Sequence, residues 1–198
     1  MDLQELLNKW NIKCDMNTLL SMWNESHRHY HTLDHLNDLI EQINEDKSIY
    51  TEKEYEKLMI TSMFHDCVYD IIKEDNEELS ASFFMECCAD KSNQDILDIK
   101  QMIIDTKFHK ASNKLSESFI GYDMNIVERD FEKLLEWEKN IYSEYSVYVE
   151  NYDDVENYQN RRILFIESLL DKYTSNTGPL LELRDWVKEN YTPEMMKM

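Results

Sequence analysis

Apolar residues recur along this chain at the three- and four-residue spacing of helices, with little of the alternation that marks strands. Leu3, Leu6, Leu7 and Trp10 make the first stripe, behind Asp2 and Glu5, which are placed as a capping box. A short second helix is predicted from Asn17 through Leu19, Leu20, Met22 and Trp23. His35 leads into Leu36, Leu39, Ile40 and Ile43, an amphipathic helix whose N-terminal end carries His31 and His35. Thr51 and Glu54 form a further capping box, opening a helix through Leu58, Met59, Met63 and Phe64 into His65 and Asp66. Asp75, Asn76, Glu77 and Glu78 begin the next, which continues through Leu79, Ala81, Phe84 and Met85. Ser92 is placed to cap a helix with Ile96, Ile99, Ile103 and Ile104, ending near Thr106 and His109. A polar loop starts near Lys110 and leads to Phe119, Ile120, Gly121, Tyr122 and Asp123.

The last third has a different texture. Phe131, Leu134, Leu135, Ile141, Tyr145, Tyr148 and Val149 predict a long helix, 161–170 a buried one and 180–191 a final one, with a frayed tail at 195–198. No repeat or low-complexity linker interrupts the pattern. The expectation is one all-α domain over 1–198, with core motifs in 28–123 and C-terminal helices at 130–191 packing on it.

Composition agrees with a helical reading. Only 2 Gly and 2 Pro occur in 198 residues, so turn formers and helix breakers are scarce. A hydrophobic share of 42% is enough for a globular core. Charge narrows the partners: 21 basic against 41 acidic residues give a formal −20, which repels nucleic acid and anionic membranes. Any phosphate-handling site in such a chain needs a locally positive field, from a bound metal and a few arginines. The 4 cysteines, Cys14, Cys67, Cys87 and Cys88, show no CxxC spacing, which predicts a reducing compartment. Cys87 and Cys88 sit among Phe83, Phe84 and Met85, where core packing is favoured over redox work. No apolar run is long enough to span a membrane and the start is unlike a signal peptide, so the expected location is cytoplasmic.

Candidate chemistry gathers in the first two thirds. Four of the 6 histidines fall between Ser26 and His35, and His65-Asp66 closes an apolar helix. His35, His65, Asp66 and Asp123 are delivered by separate helices. Two imidazoles and two carboxylates make a mixed N/O set suited to a divalent metal ion (Mn, Fe, Co, Ni, Zn or Mg), its identity left open. A metal there lowers the pKa of bound water and polarises a phosphoryl oxygen. The bland alternative is histidines satisfying local hydrogen bonds in a polar loop.

The order His…His-Asp…Asp on successive helices resembles the HD-domain superfamily of metal-dependent phosphohydrolases. More closely, Arg28-His29-Tyr30-His31-Thr32-Leu33-Asp34-His35-Leu36, His65-Asp66-Cys67-Val68-Tyr69-Asp70 and Asn76-Glu77-Glu78-Leu79-Ser80-Ala81 are similar to the RHYHNLxHI, HDIVYD and NExxSA motifs of a predicted HD phosphohydrolase family. Thr106-Lys107-Phe108-His109 and Tyr122-Asp123 follow as its later motifs do, with Glu144-Tyr145 and Arg161 matching further signals. The chain departs from the pattern in Gly121-Tyr122-Asp123-Met124-Asn125, where the family has Asp-Ala-Asp-Leu. Thr32 stands where Asn is common, and Asn76 where related hydrolases carry His.

The resemblance implies an HD-domain-like helical bundle with His35, His65, Asp66 and Asp123 as metal ligands. It implies catalytic roles for Glu77, as general base, and Asp70, as a hydrogen-bonding support. It also implies substrate contacts from Arg28, His31, Asn76, His109 and Arg161. Each has a plainer reading: Glu77 and Glu78 as dipole-stabilising acids, Asp70 as a solvated loop acid, Arg28 bridging to Glu25, and His109 in an i,i+4 pair with Asp105. Of Arg161 and Arg162, one is expected buried against a carboxylate. The tyrosines between 142 and 158 read as core and interface filler.

The function so implied is metal-dependent hydrolysis of a phosphoester or phosphoanhydride in a small molecule such as a nucleotide. Homo-oligomerisation is left open. Two other classes stay open: a catalytically silent HD module that binds a nucleotide, and a helical interaction scaffold.

Overall fold

A computed structural model describes residues 2–146 and 152–191. The expectations at Tyr148, Val149 and 195–198 lie outside the described residues. The chain is all-α. It divides into two compact units, Met1–Asp123 and Met124–Met198, where the sequence reading keeps one domain. Every motif in 28–123 falls in the first unit.

That unit contains α1 (Leu3–Lys9), α2 (Met16–Trp23), α3 (Leu33–Glu45), α4 (Glu52–Phe64), α5 (Asn76–Cys87), α6 (Gln94–Thr106) and α7 (Lys114–Asp123). Its centre is α4, which packs against α1, α3, α5, α6 and α7. All ten residues from Tyr55 to Phe64 are buried, because the apolar positions run round the whole helix instead of along one stripe. The two charged residues among them are paired. Glu56 accepts from Lys9 at 2.6 Å and from Trp10 Nε1 at 2.8 Å, while Lys57 reaches Asp95 and Asp98. Burial without such partners would cost several kcal/mol per ion, on the order given by solvation of charge in protein interiors.

Capping decides where these helices begin. The box predicted at Thr51 and Glu54 is formed in both directions. Asp2 accepts from the Glu5 amide at 2.9 Å, and Thr32 caps α3, so His31 lies just outside the helix. The cap of α6 is Asn93, one residue after the predicted Ser92, whose side chain instead closes on Asp90. The polar stretch after Lys110 becomes α7, because the Asn113 side chain accepts from the amides of Leu115 and Ser116.

The second unit contains α8 (Phe131–Tyr145), α9 (Tyr152–Lys172) and α10 (Thr177–Asn190). α10 packs on both α8 and α9. The segment 161–170, predicted to be buried, is amphipathic within a longer helix: Ile166 and Leu169 are inside, while Leu164 is 65% exposed. Arg162 is the arginine buried against a carboxylate. It forks onto Glu138 with Nε 2.9 Å from Oε2 and lies over the Trp137 and Phe165 rings. Arg161, expected to contact substrate, is on the exposed side of α9. Tyr142, Tyr145, Tyr158 and Tyr191 pack as an aromatic cluster, as the filler reading of the tyrosines anticipates.

Candidate metal centre

The four expected ligands meet in the first unit. His35 is in the first turn of α3, His65 is the C-cap of α4 with Asp66 beyond it, and Asp123 is the last residue of α7. His65 Nε2 is 3.1 Å from Asp66 Oδ2 and 3.5 Å from Asp123 Oδ1, and His35 Nε2 is 3.2 Å from Asp123 Oδ1. One ligand atom from each of His35, His65 and Asp66 lies within 4.8 Å of the other two. Atoms bonded to a common ion at about 2.1 Å stand roughly 3.0–3.5 Å apart, which is the spacing of these contacts. Two helix C-termini, those of α4 and α7, bring their negative dipole ends to the group and favour a cation.

Both imidazoles point an unsatisfied atom into this space. His35 Nε2 and His65 Nε2 are buried, and neither makes a hydrogen bond of good geometry despite the neighbouring carboxylates. An orphaned buried nitrogen is costly in a native fold unless something else fills its place. The other ring nitrogen of His65 is 3.1 Å from the Ser62 carbonyl oxygen. That bond holds the Nδ1 proton and turns the Nε2 lone pair inward, the arrangement found around metal-ligating histidines. Trp23, fully buried, backs both rings at 5.4 and 6.2 Å and is itself tied to the Met63 carbonyl.

Electrostatics follow from this crowding. Burial alone would lower the pKa of His65, but Asp66 and Asp123 outweigh it and push it up to about 10. Burial likewise opposes ionisation of Asp66 and Asp123; it is outweighed at Asp66 by His65, aided by His31, and at Asp123 by His35 first and His65 next. Both carboxyls are held well below the usual carboxylate range. Two ionised carboxylates thus enclose a position that a proton on His65 fills in the metal-free chain. The donor set, its spacing and its orphaned nitrogens fit a divalent transition metal.

Around this group the expected residues sort into two sets. His31 and His109 are brought to its edge, with Nε2 atoms 4.0 Å from Asp66 Oδ2 and 3.9 Å from Asp123 Oδ2. The His31 ring stacks on Tyr69 at 4.3 Å. His109 has a left-handed backbone, φ 47°, a conformation uncommon outside glycine that costs about 1–2 kcal/mol. The Asp105 carboxylate, one turn earlier, is buried and accepts from Ser112, Ser116 and Gln101. Glu77 is half-buried at the start of α5. Burial raises its pKa, and the charge of Asp66 adds to the rise. Its neighbour Glu78 is held by Lys107 at 2.7 Å.

Three expected residues are otherwise engaged. Arg28 does not present its guanidinium to a substrate: its side chain is wholly shielded and all five N–H groups are used. They reach Glu25 Oε2 twice and the main-chain oxygens of His31, Asp66 and Cys67, with the plane between Trp23 and Tyr69. Asn76 pairs with the main chain of Asp70 in both directions at 2.9 Å and so closes the 70–76 loop, leaving no amide group for substrate. The Asp70 carboxylate accepts from the Ile72 amide and faces Lys73 at 3.6 Å, contacts within its own loop.

Trp23, Ser62 and Ser80 were not singled out by sequence reasoning. Ser80 clamps Val68 from both sides, fixing the turn that follows Asp66. Its position in the Asn-Glu-Glu-Leu-Ser-Ala motif was the available signal for it. No family model, curated protein or solved structure matches the chain. Among the described residues no helix is long and apolar enough to cross a membrane.

Proposed function

We propose that the chain is a metal-dependent phosphohydrolase acting on a small phosphorylated molecule such as a nucleotide. The observation that carries this reading is the pair of buried, partnerless Nε2 atoms of His35 and His65 facing the ionised Asp66 and Asp123. A divalent cation held by these four side chains supplies Lewis acidity, polarising the phosphoryl group and offsetting the charge of the transition state.

The remaining steps belong to the chain's own groups. Glu77, whose proton affinity is raised by burial, takes a proton from the attacking water. The Lys107–Glu78 pair keeps the adjacent acid from competing for that role. His31, beside Asp66, and His109, beside Asp123, meet phosphate oxygens and supply donors that a −20 chain otherwise lacks near the ligand group. Trp23, Arg28 and Ser80 hold the ligand-bearing turn rigid, so little reorganisation accompanies reaction.

The test is a panel of nucleotides and an aryl phosphate with added Mn, Co or Ni. Wild-type protein hydrolyses at least one member, and Asp66→Ala abolishes turnover while leaving helix content unchanged. Turnover by Asp66→Ala at the wild-type rate overturns the proposal.

A further inference from the structure

Asp123 stands on a turn with little of its own to hold it. It is the last residue of α7, where a helix frays, and Gly121 adds backbone freedom two residues earlier. A Cβ built at Gly121 would meet nothing within 4 Å, so no neighbour requires glycine there. The residue between them is tied down at its tip. The Tyr122 hydroxyl donates to Asp46 Oδ2 at 2.8 Å and lies 2.7 Å from the Tyr50 hydroxyl. A carboxylate only accepts, so the Tyr122 proton goes to Asp46 and Tyr50 donates to the Tyr122 oxygen. Asp46 is the C-cap of α3, and Tyr50 closes the 3-10 turn Lys47–Ile49 that follows it.

The end of α7 therefore meets α3 at two points. His35, in the first turn of α3, is 3.2 Å from Asp123, and Asp46, at its other end, holds Tyr122. Those points are separated by roughly 16 Å of helix, at 1.5 Å per residue. An element fastened at two such points cannot pivot about either. We infer that Tyr122 is a positioning residue for the metal centre: through Asp46 and Tyr50 it fixes the last turn of α7 along α3 and so sets the distance between His35 and Asp123. This rests on the reading of His35, His65, Asp66 and Asp123 as ligands. Holding the turn before an ion arrives removes the cost of ordering it from the binding step. The Tyr122 ring itself packs against the core of the first unit, so the hydroxyl can be tested apart from the ring.

The experiment compares the full-length chain with Tyr122→Phe, which keeps the ring and removes only its oxygen. Calorimetric titration with cobalt(II) reads the centre, and amide hydrogen exchange of the metal-free chain reads the turn. Tyr122→Phe should bind cobalt(II) roughly 10-fold more weakly, the lower end of what supports behind metal ligands contribute. Its amides at 121–124 should exchange faster while those of α4 keep the wild-type rate. Adding Gly121→Ala, which stiffens the same turn from within, should recover part of the lost affinity. Tyr55→Phe is the control. It loses a phenol bond to the same end of α3, from Tyr55 to Asn44 Oδ1 at 2.6 Å, but adjoins no ligand in the chain. Its Tm should fall while its cobalt(II) affinity stays at the wild-type value. Wild-type affinity and exchange in Tyr122→Phe, or an equal loss of affinity in Tyr55→Phe, overturns the inference. A wild-type chain that binds no cobalt(II) overturns the ligand reading instead, and exchange at 121–124 then decides whether Tyr122 holds the turn.

Discussion

Replacing Arg28 with alanine distinguishes a structural strut from a phosphate clamp. The substitution removes five hydrogen bonds and two cation–π contacts. The two bonds to Glu25 count for little, because that carboxylate is 45% exposed and screened by solvent. The three to main-chain oxygens count for more. The His31, Asp66 and Cys67 carbonyls lose a charged donor inside the protein, at about 1–3 kcal/mol for each one left unsatisfied. With partial relaxation and water entry the expected loss is on the order of 3–5 kcal/mol, or roughly a 10 °C fall in Tm for a chain of this size. Because the Asp66 carbonyl is one of the three, metal affinity should fall together with stability. Lysine should rescue little, since one ammonium cannot span acceptors arranged for a planar fork. The assays are thermal unfolding of the metal-free protein and metal titration by calorimetry. Arg28→Ala that keeps wild-type Tm and metal affinity while raising KM for a phosphorylated substrate would refute the strut and restore the clamp.

Other outcomes follow from the same geometry. Glu77→Gln should abolish hydrolysis with metal content unchanged. Since burial raises the Glu77 pKa, its charge opposes folding above the unfolded value of 4.5, so the variant should be more stable at pH 7 by denaturant titration. His109→Gly and His109→Ala should both lower kcat/KM, and the glycine variant should be the more stable of the two by ~1 kcal/mol, because it relieves the left-handed backbone cost that histidine and alanine both bear. In the metal-free chain, burial lowers the His65 pKa but its two aspartate neighbours raise it further, to about 10. The stability it contributes is therefore full below 6.5 and is lost as pH rises through about 10, so Tm of chelator-treated protein should decline across that window. Asp66 and Asp123 act in the opposite sense: their contribution is present above 3.8 and is lost on acidification through their lowered values. A Tm that does not fall between pH 6.5 and 10 would contradict the proposed charge arrangement.

The residues legible in the sequence are those whose own side chains carry the signal. His35, His65, Asp66 and Asp123 stand out by type and order, and their side chains do meet. The α4 capping box is written in Thr51 and Glu54 and forms as written. Arg28 and Asn76 share one physical trait: most of their partners are main-chain atoms. Arg28 bonds three carbonyls and Asn76 bonds the amide and carbonyl of Asp70, groups that every residue has and no motif can name. The same trait hid α7, whose start rests on Asn113 bonding two amides within what reads as a polar loop. That one of Arg161 and Arg162 meets a buried carboxylate was legible from charge alone; that it is Arg162, and that the carboxylate is Glu138, was not. The pairing of Ile12 with Cys88 and of the Lys13 amide with the Cys87 carbonyl joins segments far apart in the chain, which no spacing rule reaches.

The central claim is that imidazoles and carboxylates from three helices are built to hold a cation. It is tested most directly by elemental analysis of protein purified without chelator, beside His65→Ala and Asp66→Ala prepared identically. The account predicts roughly one divalent transition metal ion per wild-type chain and essentially none in either variant. Wild-type protein that carries no metal and takes up none from Mn, Fe, Co, Ni or Zn, or variants that retain it, would contradict the claim.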